Sequence, residues 1–481
     1  MATAESANTT PDPEASKTQI SNQPYTIFTP RGTLFIVLIV GFATIAVPLT
    51  ATVYFPLLAT LEVQFNALSQ AINMTLTIYI IFQALSPAVF GPLSDATGRR
   101  PVYLITLAIY VLANLGMALN KHNYAVLLLF RAFQSLGASA ACAISYGIVA
   151  DVCVPSERGK MMGWVSMALN LGTYILGLVH CRVLLSLLVG MFLPETARNL
   201  VGNGSDRSKF AVWQQSWWDI LGRQRKKSRD QGVGSWLSRD VLPQLNLRMF
   251  ATPFRIIFFP DAFLCLWMHG SFYTVDYILA ATVSDIFTNT YDFNTLFVGL
   301  SYLPRGIGIV TGGYCNGRMM DHNYKATARK LNRAINRVSG DDLQSFPIEL
   351  ARSRGIYYLL AISTATLVAY GWTVHHERHF SIPLVLQYIQ GLWGTCFYTV
   401  YNTLLVDIFP QNPSTAAATA SIVRCAMAAT GVSITRPLLD AAGLGWYFTS
   451  LGVWSAVCGA VAVWCLRSSG MGWRQRRYGC S

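Results

Sequence analysis

Ten apolar blocks, each about as long as a lipid bilayer's interior is thick, limit this chain more than any other feature. They lie near residues 33–59, 70–93, 101–119 and 124–150, then near 262–284, 294–316, 354–373, 381–408, 414–434 and 443–466. About 20 apolar residues in a helix cross roughly 30 Å of hydrocarbon. Lipid offers the backbone no hydrogen bonds, so each block must satisfy its own N–H and C=O groups as a helix. The expected fold class is all-α, a polytopic membrane bundle. The charge content agrees: 12% of the 481 residues are Asp, Glu, Lys or Arg, about half the ~25% usual in soluble chains.

The net charge of +13 does not point to nucleic acid, because the Lys and Arg fall in loops between apolar blocks, as the positive-inside rule requires. Arg99 and Arg100 follow the second span, Arg158 and Lys160 the fourth. Lys325, Arg329, Lys330, Arg333 and Arg337 fall in a later loop, and Arg474, Arg476 and Arg477 in the tail. All lie on one side if both termini are cytosolic. The organisation read from this is a disordered cytosolic tail (1–30), an N-terminal membrane half (31–193), a basic central loop (194–255), a C-terminal membrane half (256–467) and a cytosolic tail (468–481). No cleavable leader is read, and the first span serves as its own insertion signal. The sequons at Asn8 and Asn203 fall on the cytosolic side and stay unmodified. The ten Cys show no paired spacing and read as reduced packing residues, with no disulfide framework and no metal site.

One stretch breaks the pattern. Two spans and a turn need about 40 residues, but 161–193 supplies fewer and is interrupted by His180, Cys181 and Arg182. A single crossing would put the basic central loop on the wrong side. Spans five and six are therefore expected to be truncated.

The two halves echo each other, as in many transporters. Gly147-Ile-Val-Ala-Asp151 ends the fourth span and Thr403-Leu-Leu-Val-Asp407 the tenth-type span. Gly91-Pro-Leu-Ser-Asp95-Ala-Thr-Gly98-Arg99-Arg100 follows the second span, and Gly313-Tyr-Cys-Asn-Gly317-Arg318-Met-Met-Asp321 the eighth-type span. In the first of these loops, glycines allow close helix approach. Asp95 suits a helix N-terminus.

This loop, with Gly91, Leu93, Asp95, Gly98, Arg99 and Arg100, resembles the signature loop of the major facilitator superfamily. Leu127-x-x-x-Arg131-x-x-Gln134-Ser135-x-Gly137-Ala138 is similar to a second family motif, with Ser135 where glycine is usual. Leu193-Pro-Glu-Thr-Ala-Arg198, Gly299-Leu-Ser-Tyr-Leu-Pro304-Arg-Gly306, Phe346-Pro-Ile-Glu349-x-Ala351-Arg352, Leu405-Val-Asp407-x-Phe-Pro410 and Tyr54-Phe-Pro56 narrow the resemblance to the fungal twelve-span drug:proton antiporters. The resemblance implies two six-helix halves, a conformational latch at residues 91–100 and a proton-coupling role for Arg131. The glycine- and proline-rich motif of span five in those antiporters is absent here.

Ionisable side chains inside spans are functional candidates, because burying them in lipid is costly. They are Arg131, His269, Asp276, Arg305 and Arg424, joined by Gln134. Asp276 is the one clearly mid-span carboxylate, and His269 lies two helical turns before it, so Asp276, with His269 or a nearby arginine, is expected to contribute to proton coupling or to bind a cationic substrate group. Three buried arginines against one carboxylate suit anions instead.

The leading expectation is a proton-coupled exporter of drugs, toxins or secondary metabolites, conferring multidrug resistance as an efflux pump. The alternatives are an organic-acid exporter of citrate-like anions and a non-transporting paralogue. No nucleophile elbow, metal spacing or phosphate loop marks an enzyme. No cofactor is expected; the partners are a small-molecule substrate, a proton gradient and the bilayer. The chain is read as a monomer, multi-pass, in the plasma membrane.

Overall fold

The computed structural model describes residues 25–45, 50, 58–66, 68–120, 122–174, 192–198, 248–336, 341 and 343–479. Every regular element among them is a helix: α1 (Pro30–Thr44), α2 (Leu58–Phe65), α3 (Ser69–Thr97), α4 (Arg99–Leu119), α5 (Tyr124–Val152), α6 (Pro155–Tyr174), α7 (Arg248–Ile257), α8 (Pro260–Asn289), α9 (Thr295–Ser301), α10 (Leu303–Lys330), α11 (Ile348–Arg352), α12 (Ile356–His375), α13 (Ser381–Ile408) and α14 (Pro413–Arg477). The expected truncation at 161–193 falls largely on 175–191, outside the described residues. So do the tail at 1–24 and most of the basic central loop, 199–247.

The apolar blocks reappear as helices, with differences that have local causes. The block at 294–316 is interrupted at Tyr302, and Pro304 sits in the first turn of α10, where a missing N–H is harmless. The last two blocks are two helices, taken together as α14, that meet at Gly443, whose φ of 75° leaves the helical region. Lys325, Arg329 and Lys330, placed in a loop by charge alone, are the final turns of α10.

Five described helices are long and apolar enough to cross a membrane, and the pair α7 and α8, bent by 80°, makes a sixth. Helices α10 and α13 are equally long but more polar, and their polar residues face inward: Arg305, Asn316, Gln387, Gln390 and Asn402 are all buried. The lipid-facing surface is apolar by contrast, with Leu112, Leu119, Trp446, Trp454 and Trp464 all more than 60% exposed. An apolar rim around a polar interior is what lipid demands.

In the first half α5 packs on α3 and α4; in the second, α14 packs on α8 and α12, and α10 on α13. The halves meet chiefly where α3 packs on α14 and α6 on α10, and also where α5 packs on α14 and α6 on α13. The first two contacts depend on glycine for close approach. A Cβ on Gly91 would lie 2.8 Å from Ala418 Cβ, and one on Gly163 would lie 2.7 Å from the Gly313 carbonyl oxygen. Glycine also governs packing inside the second half, where a Cβ on Gly312 would stand 2.2 Å from the Leu392 carbonyl oxygen.

Gly312→Ala is therefore expected to lower thermal stability in detergent by about 1–3 kcal/mol through overpacking. Gly394→Ala, on the facing helix with nothing within 4 Å of its would-be Cβ, is expected to be neutral or to stabilise by up to ~1 kcal/mol. Thermal-shift measurement on the two purified variants checks both.

Candidate gate and interior polar site

Helices α3 and α4 are separated only by Gly98, at φ 113° and ψ 153°, a conformation open to glycine and strained for other residues. This sharp link turns Arg99 inward. Its Nε donates to Asp151 Oδ2 at 2.8 Å, at the end of α5, and its terminal nitrogen donates to Asp95, to Ser94 Oγ at 3.1 Å and to Ser414 Oγ at 2.7 Å. Asp95 in turn accepts the backbone N–H groups of Ser414 (3.3 Å) and Thr415 (2.8 Å). A carboxylate on the first turn of α14 meets both its unsatisfied donors and the positive end of its dipole. Thus Asp95 ties the first half to the second. Arg100 turns the other way and donates to the Leu193 carbonyl at 2.8 Å. Leu93 packs against the core of the first half.

The second half repeats the arrangement. Asp321 accepts the Lys160 N–H with both oxygens at 3.2 Å, so it meets α6 as Asp95 meets α14. Burial pushes its carboxyl up to about 6, while Arg352 and the Lys160 N–H oppose the shift. Arg352 donates Nε to Asp407 Oδ2 at 3.0 Å and a terminal nitrogen to the Pro155 carbonyl at 2.8 Å, echoing Arg99 with Asp151. Asp407 also takes Arg158 from the first half, so this cluster too crosses the interface.

A strap of residues 192–198 lies over this end. Glu195 accepts the N–H groups of Arg99 (2.8 Å) and Arg100 (3.2 Å), which open α4. Burial raises its pKa, and those N–H groups with that of Ala197 pull it back. Arg198 donates to the Asp151 carbonyl at 3.0 Å and the Tyr25 carbonyl at 2.6 Å, with its guanidinium 3.2 Å from the Tyr25 ring centroid. The Tyr25 hydroxyl donates to the Ala150 carbonyl at 3.0 Å and accepts from Arg158 at 3.1 Å. Sequence reasoning nominated none of Tyr25, Asp151, Arg158, Glu195, Asp321, Arg352, Asp407 or Ser414 as site residues. The repeated span endings held the signal for Asp151 and Asp407, and the Pro-Glu-Thr-Ala-Arg motif held it for Glu195 and Arg198.

Within the bundle the candidates separate. Arg131 donates to Gln134 Oε1 at 2.6 Å and lies over the Tyr79 ring; Gln134 passes the chain on to Asn114 at 2.8 Å. Asp276 pairs with Arg305 across α8 and α10. His269 does not join Asp276: its Nδ1 meets the Tyr398 carbonyl oxygen at 3.0 Å, and its charged neighbour is Arg424. Seven residues along a helix are roughly 10.5 Å apart, and the neighbouring helices supply each residue with a different partner. Arg424 lies with its guanidinium 4.6 Å from the Tyr273 ring centroid, a contact worth about 0.5–2 kcal/mol that leaves its charge unneutralised. No carboxylate salt bridge to Arg424 occurs among the described residues. At an effective dielectric of about 20, a second unit charge ~4 Å from it gains or loses about 4 kcal/mol according to sign. The eight described Cys are all free.

Asp407 neutralises two fully buried arginines at once. Asp407→Asn is expected to cost about 3–5 kcal/mol, because it strands buried charge. Arg436→Gln, which removes an exposed pair with Asp285, is expected to cost no more than about 1 kcal/mol. Thermal unfolding of both variants in detergent makes the comparison.

A family model described as Major Facilitator Superfamily matches residues 40–335. Among relatives, Citrate exporter 1 of Aspergillus niger is 32% identical over 90% of this chain and 85% of its own length. The MFS-type transporter tstD of Talaromyces stipitatus is 30% identical over 95% and 85%. The MFS antiporter QDR2 of Candida albicans is 26% identical over 89% and 86%. Among solved structures, the proton:xylose symporter XylE aligns with a TM-score of 0.61 over 91% of this chain and 96% of its own, at 13% identity. The human organic anion transporter MFSD10 (TETRAN) aligns with a TM-score of 0.54 over 90% and 100%, at 18% identity. These structural likenesses speak for the fold alone. With a family model over more than half its length and relatives of this identity, the chain belongs to the major facilitator superfamily and is a multi-pass membrane transporter, not an enzyme.

Proposed function

We propose that this transporter exports small organic molecules in exchange for protons, opening alternately at its two ends. The observation that carries the reading is Asp95 of the first half capping α14 of the second, with Arg99 behind it. Asp321 on α6 is its counterpart in the other half. Such contacts form and break as bodies when two halves rock, whereas an apolar seam would not release cleanly. The arginine-rich end that these contacts close carries Arg99, Arg100, Arg158 and Lys160, and by the positive-inside rule it faces the cytosol. Both termini are then cytosolic, the two membrane halves are 31–193 and 256–467, and the chain works as a plasma-membrane monomer. The Asp276–Arg305 pair and the Arg131–Gln134 chain are the groups proposed to couple protons, since a carboxylate held by an arginine is released when it is protonated.

Two substrate classes fit this machinery. Drugs, toxins and secondary metabolites suit the aromatic side chains Phe272, Tyr273, Phe397 and Tyr398, and QDR2 is an antiporter. Organic acids suit the buried arginines, and one relative is named a citrate exporter.

In a yeast lacking its own exporters, the chain is expected to speed release of loaded citrate or to confer resistance to lipophilic compounds, with a protonophore abolishing the effect. Asp276→Asn is expected to slow proton-driven export at least about tenfold, the contribution typical of a positioned proton-transfer group. Export that survives the protonophore contradicts proton coupling. Correct plasma-membrane localisation with neither effect leaves the non-transporting paralogue as the reading.

A further inference from the structure

The arginines buried in this protein are otherwise well supplied. Arg99, Arg158, Arg305, Arg352 and Arg474 each hold a carboxylate, Arg100 holds a backbone carbonyl, and Arg131 holds the Gln134 side chain. Arg424 differs. It is 8% exposed and forms no carboxylate salt bridge among the described residues. The Tyr273 ring lies 4.6 Å from its guanidinium, and the Cys425 thiol is beside it. Asp276, the carboxylate at this depth of the bundle, is occupied by Arg305.

Its position is as telling as its isolation. Arg424 on α14 lies over the Tyr273 ring on α8, and its charge acts on His269 of α8 and, across the junction of the halves, on Cys142 and Tyr146 of α5. Close by, Tyr398 on α13 meets His269 edge to face, and its hydroxyl lies 3.4 Å from Ser166 Oγ on α6. Residues of five helices from both halves therefore gather near one cation that has no carboxylate partner among the described residues. The groups around it are largely hydroxyl donors, which suit the oxygens of an anion. Arginine does not deprotonate in proteins, so Arg424 is no proton carrier. A buried guanidinium is tolerated when it is paired or faces a polar cavity.

We infer that Arg424 binds a carboxylate group of the transported substrate, making the substrate an organic acid, with Tyr273, Tyr146 and His269 around the anion. The guanidinium fork matches a carboxylate in bidentate geometry. A lipophilic cation at the same place meets repulsion of the same size as the attraction an anion gains. The inference rests on the transport reading and chooses between its two substrate classes.

The test uses purified full-length protein with citrate as probe, its neutral trimethyl ester as a shape control and ethidium as a cation. Citrate is expected to raise the melting temperature of the wild type saturably, while the ester does not. Arg424→Gln is expected to weaken the apparent citrate affinity at least tenfold. Arg424→Lys keeps the charge, and with it the fold, and is expected to weaken the affinity severalfold. Arg436→Gln, a distant exposed arginine, leaves it unchanged. A wild type that citrate does not stabilise overturns the inference, as does Arg424→Gln binding citrate like the wild type. Proteoliposomes separate the two levels of claim. Wild type that moves ethidium but neither binds nor moves citrate overturns the carboxylate site and leaves the transport reading standing. Wild type that moves neither solute overturns both.

Discussion

The structure turns on Asp95 at the first turn of α14, backed by Arg99. One carboxylate satisfies backbone donors of a helix more than 300 residues away in sequence, and the arginine that balances it also reaches Asp151 and Ser414. Each partner is almost wholly buried, so none of these charges can be left alone cheaply. That is why the loop needs Gly98 to aim Arg99 inward and Gly91 to bring α3 against α14. It also explains the strap: Glu195 supplies the acceptor that the backbone N–H groups of Arg99 and Arg100 need at the N-terminus of α4.

Twofold repetition extends the same logic. Asp321 with Lys160, and Asp407 with Arg352 and Arg158, place an equivalent cluster where α6 meets α10. Polar contacts therefore join the halves at this end, beside an apolar cluster in which Val149 and Val165 meet Val406 and Ala418. Buried ion pairs contribute little net stability when intact and cost much when half broken. An interface of that kind holds two well-separated arrangements better than a graded series between them.

The spans and the repeat were legible in the sequence because lipid imposes one simple rule, a continuous apolar helix per crossing. The loop at residues 91–100 was legible too, since its glycines and charges are local. Pairings across the halves were not. Periodicity shows which face of a helix is buried, but not that Arg158 meets Asp407 or that Asp95 caps residue 414. Tyr25 sits at the end of a polar tail, where composition gives no hint of contact. The spacing of His269 and Asp276 suggested a pair, yet facing helices decide partners: the Tyr398 carbonyl takes His269, and Arg305 takes Asp276. Arg424 was visible as an intramembrane charge, while its lack of a carboxylate became visible only once its neighbours were in place.

The central claim, that buried polar contacts hold the halves together at the arginine-rich end, is tested most directly by pulsed electron spin resonance distances across that end. Spin labels at exposed positions 157 on α6 and 331 after α10, with the native cysteines replaced, report the separation of the halves in liposomes. The parent protein is expected to give one short distance, and the Asp95→Asn protein a second, longer population. An unchanged distance distribution in the Asp95→Asn protein would contradict that claim.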